Sequence, residues 1–104
     1  MSDEPTVLRA RDLELDRLTR KVTRAGQVID LMPREFALLE LLLRRRGRVQ
    51  TRTMLLEAVW DIHFDPQTNV VETHISRLRN KIDKPFDMPL IETLRGSGYR
   101  IDAE

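Results

Sequence analysis

The stretch NVVETHISRLRNKI, Asn69 to Ile82, predicts the element on which the rest of the fold depends. Its apolar residues recur at the three- and four-residue spacing of an α-helix. On a helical wheel Ile75, Leu78 and Ile82 fall within about 40° of Val71, and together the four predict a buried stripe. The four residues are Val71, Ile75, Leu78 and Ile82. We therefore predict a helix from about residue 68 to residue 83.

The opposite side of this helix is polar and basic. It carries Thr73, Ser76, Arg77, Asn80 and Lys84, with Arg79 and Lys81 beside them. Short hydrogen-bonding side chains between long cationic ones suit base edges in a DNA groove and phosphates along its walls. The same composition suits an ordinary solvated helix surface, and this segment alone does not decide between the two.

The residues before this helix predict a small sheet and two further helices. Short alternating bursts over residues 6–31 are typical of antiparallel strands. From Pro33 to about Arg45 the period is helical, and Gly47 ends that helix. A second helix follows Thr51, which suits an N-cap, and ends at Trp60. The predicted inward-facing residues are Phe36, Ala37, Leu38, Leu39, Leu41, Leu42 and Leu43 in the first helix, and Met54, Leu55, Ala58 and Val59 in the second.

After the third helix, LIETLRGSGYRID predicts a strand, a tight turn at Gly96 and Gly98, and a second strand. Three helices followed by a glycine-tipped hairpin have the order of a winged helix-turn-helix. In that arrangement the last helix docks in the major groove of DNA. Arg95 starts the hairpin turn, and from there it would reach an adjacent minor groove, whose negative potential attracts arginine.

The whole-chain totals suit one small domain. Of the 104 residues we assign 1–5 to a disordered start and 6–104 to the domain, with the helical core at 33–84 and the wing at 90–102. The net charge of +1 alone argues against strong polyanion binding. Five arginines nevertheless lie between Glu40 and Glu57 with no acid among them, a run that also fits an ordinary helix end. The lack of cysteine, of a membrane-length apolar stretch and of a signal-peptide pattern predicts a cytoplasmic protein.

Four motifs in combination resemble one family. PREFALLELLLRRRGRV, LLEAVWD, TNVVETHISRLRNKI and LIETLRGSGYR are similar to the winged-helix effector domain of the OmpR/PhoB family of bacterial response regulators. The resemblance covers nearly the whole chain, because the family domain also begins with a four-stranded antiparallel sheet. VWDIHFDPQTNVVE with KIDKPF is especially similar to the subgroup that responds to copper and other heavy metals. The implied fold class is α+β, with a sheet, three helices and a C-terminal wing.

The resemblance also implies roles for individual residues. The positions that read bases in the major groove match Asn69, Thr73, Ser76, Arg77 and Asn80. The positions that contact the phosphate backbone match Arg52, Trp60, His74, Arg79, Lys81, Thr93, Gly96 and Tyr99, and Arg95 matches an arginine that enters the minor groove. The loop Asp61, Ile62, His63, Phe64 and Asp65 resembles the segment that contacts RNA polymerase.

For the longer protein, the resemblance implies a preceding receiver domain that is controlled by a sensor histidine kinase. We expect this chain alone to be monomeric and to bind direct-repeat promoter sites as a tandem dimer. His63 and His74 lack further ligands at metal-site spacing, and no nucleophile has a base nearby, so we expect no metal, cofactor or enzyme activity. The alternative is a winged helix that binds a protein or dimerises without specific DNA binding.

Two positions depart from the family pattern. Met32 replaces the usual Thr or Ser before the first helix, and a thioether is a poor cap, so we expect that helix to be about 1 kcal/mol less well capped. Ser76 stands where relatives often carry arginine. This change weakens the expected phosphate anchorage and leaves open which bases are read.

Overall fold

The computed structural model describes residues 5–102. An antiparallel sheet comes first, with its strands in chain order: β1 (Val7–Ala10), β2 (Leu13–Asp16), β3 (Val22–Arg24) and β4 (Gln27–Ile29). Three helices follow: α1 (Pro33–Arg44), α2 (Arg52–Trp60) and α3 (Val70–Ile82). The last element is a hairpin of β5 (Ile91–Leu94) and β6 (Gly98–Ile101), which forms the wing. This order confirms the predicted α+β winged helix-turn-helix.

One face of the four-stranded sheet is apolar and contacts α1. Leu8 pairs with Leu15, and Leu15 pairs with Val22, so alternate residues of three strands point the same way. Together with Ala10 and Leu13, these side chains are at most 9% exposed. Strands of three or four residues are too short to be stable alone, and the helix supplies the burial they need.

The buried side of α1 follows the predicted pattern. Every leucine from Leu38 to Leu43, together with Phe36, is buried, and Ala37 packs at the edge of the core. Met32 occupies the N-cap position with extended backbone angles, φ −69° and ψ 157°, and makes no side-chain cap hydrogen bond. The helix start is instead supported by Glu35, whose Oε1 accepts from the Met32 N–H at 2.8 Å.

The predicted inner stripe of α2 is partly wrong. Leu55 and Val59 are buried as expected, but Met54 is 45% exposed and Ala58 also faces outward. Leu56, which the prediction omitted, is 1% exposed. Apolar residues lie on several sides of this nine-residue helix, so their spacing does not single out one stripe. The N-cap prediction is confirmed, because Thr51 Oγ1 accepts from the Met54 N–H at 3.1 Å.

The stripe predicted for α3 is confirmed. Val71, Ile75, Leu78 and Ile82 are each at most 1% exposed.

The wing is attached beside this helix through the linker between α1 and α2. Gln50 and Tyr99 exchange two backbone hydrogen bonds of 2.7 and 3.0 Å, and the Gly47 N–H donates to the Ile101 carbonyl at 2.7 Å. The linker therefore acts as a short third strand on the edge of the hairpin.

A buried arginine that was not predicted from the sequence joins the sheet to the end of α3. Arg24, on β3, is 1% exposed, and its Nε donates to Asp12 Oδ1 at 2.9 Å. Its other nitrogens bond to the Ile82 carbonyl, to Asp83 Oδ1 at 3.3 Å and to the Met88 carbonyl. The buried Asp83 also accepts from the N–H groups of Leu90 and Ile91, at 2.9 and 3.1 Å. One cation therefore ties β3, the end of α3 and the start of β5 together.

Of the predicted disordered start, all but Pro5 lies outside the described residues. Within residues 5–102, no helix is both long and apolar enough to cross a membrane. In the same range no cluster of three or more His, Cys, Asp or Glu side chains is arranged to hold a metal ion.

Candidate nucleic-acid interface

The outer face of α3 is open and polar, opposite its buried stripe. Ser76, Arg77 and Asn80 are exposed, and Thr73 is half-buried. Asn69 is exposed at the N-cap of the helix, where its side chain makes no cap hydrogen bond. The five predicted base-reading residues therefore lie on the outer face or at the exposed start of one helix, and none is buried in the core.

The last turn of α3 is joined to the wing through Arg79. Arg79 Nη2 donates to Thr93 Oγ1 at 2.6 Å and to the Ile91 carbonyl at 3.0 Å. The same guanidinium lies 5.7 Å from the centre of the Tyr99 ring. Burial raises the pKa of Tyr99, and the negative charge of Glu72 adds to this, so the phenol stays protonated and can donate a hydrogen bond. Three of the predicted phosphate-contacting residues thus form one cluster.

The wing turn is held close to the start of α2. Gly98 has φ +147°, and a Cβ built on it would lie 2.1 Å from the Gln50 carbonyl oxygen. Gly96, at φ +76°, has no heavy atom within 4 Å of the corresponding position. Arg95 is exposed at the turn. A cleft lined by wing residues 93–99, Arg52 and Glu72 separates the turn from the first turn of α3.

Arg52, another predicted phosphate contact, is bonded inside the protein. Its Nε donates to Glu72 Oε2 at 3.0 Å, and its Nη1 donates to Asp65 Oδ1 at 2.6 Å. Its Nη2 donates to the Thr68 carbonyl. The Gln67 N–H and the Arg52 guanidinium together lower the pKa of Asp65, which keeps this carboxyl ionised. No local pattern in the sequence indicates this clamp, because its members lie on two helices and the loop between them.

Lys81 is also paired within the fold. Its Nζ lies 2.6 Å from Oε1 of Glu35, a side chain only 3% exposed. Burial opposes ionisation of Glu35, but Lys81 and the Met32 N–H outweigh it and hold the pKa of the carboxyl below its usual range. Lys81 therefore connects α3 to the first turn of α1, and its side chain is about one-third exposed.

Trp60 and His74 stack edge to face between the end of α2 and α3, with ring centres 5.0 Å apart and an interplanar angle of 77°. His74 Nδ1 lies 2.8 Å from the Val70 carbonyl, so this nitrogen carries the hydrogen of the neutral ring. Its Nε2 is then the acceptor of the neutral ring. Both side chains are half-buried.

The loop after α2 exposes one of its two large apolar side chains. Phe64 is 69% exposed, whereas Ile62 is half-buried and packs against the core. Asp61 ends α2 in a left-handed conformation at φ 55°. His63 lies between Glu57 Oε1 at 3.2 Å and Asp61 Oδ1 at 3.0 Å, and these two carboxylates raise its pKa.

The fold and this site define a winged-helix DNA-binding domain. The family described as "Transcriptional regulatory protein, C terminal" matches residues 26–101. The chain belongs to this family and is a DNA-binding domain of the OmpR/PhoB response-regulator type.

Two curated proteins with similar sequences support the family assignment. The chain is 50% identical over 99 residues to the transcriptional activator protein IrlR of Burkholderia pseudomallei, covering 95% of this chain and 43% of that protein. It is 46% identical over 91 residues to the transcriptional regulatory protein CusR of Escherichia coli, covering 88% and 40% respectively. The chain thus spans less than half the length of these curated relatives.

A solved structure supports the fold directly. The DNA-binding domain of Klebsiella pneumoniae RstA, determined in complex with the RstA box, superposes with a TM-score of 0.85 at 27% identity. The match covers 94% of this chain and 98% of that one.

Proposed function

We propose that this chain binds double-stranded DNA sequence-specifically, with α3 in the major groove and Arg95 of the wing in an adjacent minor groove. The observation that carries this proposal is the two-sided character of α3. Its apolar stripe is fixed in the core, while Ser76, Arg77 and Asn80 remain exposed on the other side. A rigid helix with a free polar face is what direct readout of base edges requires.

Individual residues take the roles that their surroundings support. Arg77 has the reach and the donors for a guanine edge, and Asn80 suits an adenine edge. Arg79, Thr93 and Tyr99 form the cluster that holds the wing against α3, and the phenol of Tyr99 donates to a phosphate. The remaining contacts to the DNA backbone, on either side of this cluster, come from Gly96, His74, Trp60 and Lys81. Arg52 is the exception in this set, because all three of its nitrogen atoms are already bonded within the protein.

For the longer protein we propose the role of a cytoplasmic transcription regulator. A receiver domain, controlled by a sensor histidine kinase, would precede this chain, and two copies would bind a direct repeat in tandem. The exposed Phe64 in the loop of residues 61–65 supports a contact with RNA polymerase. The resemblance of VWDIHFDPQTNVVE and KIDKPF to the subgroup that responds to heavy metals supports a response to metal that is detected outside this chain.

The test starts from a pool of random duplexes from which the chain selects its best site. Affinity for that site and for a scrambled duplex is then measured between about 50 and 200 mM salt, where phosphate contacts cause a steep loss. Arg77→Ala should cost about 1–3 kcal/mol at the selected site and relax the sequence preference at one base pair. Arg95→Ala should weaken sites with an A·T-rich minor groove more than others.

The competing possibility is a winged helix that binds a protein partner. Such a module would select no sequence, and both variants would bind DNA as the parent does. That result would reject the proposed docking.

A further inference from the structure

The start of α3 is held by a side chain from another element instead of by its own cap. Asn69 makes no side-chain cap hydrogen bond, although asparagine is among the residues best suited to that task. The first backbone bond of the helix, from the Thr73 N–H to the Asn69 carbonyl, is formed at 2.8 Å. Directly before it, Arg52 binds the Thr68 carbonyl, and within the first turn it binds Glu72.

The same arginine fixes the loop between α2 and α3. Its bond to Asp65 at 2.6 Å closes the loop onto the first residue of α2. The neighbouring Thr51 and Gln50 are in turn pressed against Gly98 of the wing turn. The guanidinium therefore sits where α2, the loop and the first turn of α3 meet, close to the wing.

The local charge is unfavourable for a phosphate. One guanidinium is bonded to two carboxylates, so Arg52, Asp65 and Glu72 together carry a charge of about −1 at neutral pH. A phosphate that approached the guanidinium would also approach both carboxylates, and their repulsion would offset its attraction. Most of the donors that a phosphate would use are occupied as well.

We infer that Arg52 is a positioning residue for base readout rather than a phosphate contact. It sets the angle and height at which the first turn of α3 enters the groove, and so places Asn69 and Thr73 against their base pairs. This inference rests on the proposed DNA binding, and it assigns Arg52 a role different from the one that family resemblance implies.

Arg52→Ala separates the two roles. A positioning role predicts that affinity for the selected duplex falls at least about tenfold, the cost of one lost base contact. Affinity for the scrambled duplex should stay within about twofold, and the slope of log affinity against log salt should be unchanged, since no phosphate contact is lost. A phosphate contact predicts that both affinities fall together and that the slope decreases by about 0.9. Arg48→Ala, which removes an exposed arginine from the linker, is the matched charge control.

Glu72→Ala gives a second test, in which the changes in affinity for the scrambled and the selected duplex are compared. Removal of a negative charge beside DNA should strengthen binding to every duplex if electrostatics alone is involved. If Glu72 helps Arg52 to hold the helix, binding to the scrambled duplex should rise while the preference for the selected duplex falls. An equal gain for both duplexes would overturn the inference.

Hydrogen exchange in the free chain supplies a readout that needs no DNA. In Arg52→Ala, the Thr73 and His74 amides should exchange at least about tenfold faster, while the amides of Leu78 and Ile82 keep their rates, as expected for local opening. Unchanged exchange at Thr73 and His74 would show that Arg52 does not hold the first turn of α3. A parent chain that selects no sequence would instead reject the proposed function and, with it, the role in readout, even if exchange shows that the clamp exists.

Discussion

Gly98 is the residue whose replacement the structure restricts most. Its φ of +147° strains any other residue, and a Cβ there would lie 2.1 Å from the Gln50 carbonyl oxygen and 3.0 Å from the Thr51 Cα. Both neighbours are backbone and cannot rotate away. Gly98→Ala must therefore separate the wing from the linker, and we expect it to lower stability by about 2–4 kcal/mol, the sum of strain and overlap.

Thermal unfolding measures this effect, and Gly96→Ala is the control. Gly96 has φ +76° but open space around the added methyl, so only strain of about 1–2 kcal/mol applies. Equal losses of melting temperature in the two variants would mean that the close approach of wing and linker is unimportant.

At Glu35 the prediction concerns pH. Because the folded state lowers the pKa of this carboxyl, its pairing stabilises the protein above the ordinary carboxyl pKa and loses that effect as pH falls through the folded value. Lys81→Met removes the ammonium and leaves the nearly buried carboxylate with the Met32 N–H. We expect a loss of about 1–2 kcal/mol at neutral pH. Urea unfolding of parent and variant should show this difference shrinking towards pH 3, and a difference that is constant with pH would contradict it.

Among the elements, α1 allows a stabilising change at its N-cap. Met32 has the extended backbone of an N-cap residue, and its side chain is 62% exposed, so a smaller residue fits without repacking. Met32→Thr supplies a hydroxyl that accepts an N–H of the first turn and completes the capping box with Glu35. We expect a gain of about 1 kcal/mol, or roughly 4–8 °C in melting temperature.

Met32→Ala is the control for this gain, since it removes the thioether without adding an acceptor. If the alanine and threonine variants melt together, the gain comes from loss of the exposed methionine and not from capping.

The elements also mark where pattern reading succeeds. The stripe of α3 was predicted correctly because only one set of positions in thirteen residues is apolar at helical spacing. In α2, apolar residues occur on several sides of a nine-residue helix. Packing against α1 and α3 then determines that Leu56 is buried, whereas Met54 and Ala58 are exposed. The polar face of α3 was predicted from the position of its stripe, whereas the partners of Arg52 and Lys81 were not predicted, because they lie on other elements.

For the whole molecule, the order of elements predicted the fold, but the contact that joins the sheet to the end of α3 and the start of β5 was not predicted. The alternation in β3 places Arg24 on the same side as Val22, towards the core, which is a local hint of a buried cation. Its carbonyl partners, however, lie 58 and 64 residues further along the chain. No periodicity or motif connects residues so far apart, and only the packed structure brings them together.

Arg24→Met tests whether this buried cation holds the sheet to α3. The replacement keeps much of the apolar stem but removes the guanidinium that Asp83 and two carbonyls bind. The Asp83 side chain is only 5% exposed. Removing one partner of a buried pair costs about 3–5 kcal/mol, which is a large part of the stability of a domain of this size. Asp12→Asn is the matched control, because Asp12 is 49% exposed and its pairing with Arg24 should contribute less than about 1 kcal/mol. Urea unfolding should therefore show a much lower midpoint for Arg24→Met and a nearly parental one for Asp12→Asn. If the two midpoints coincide, the sheet and α3 are held together by apolar packing alone.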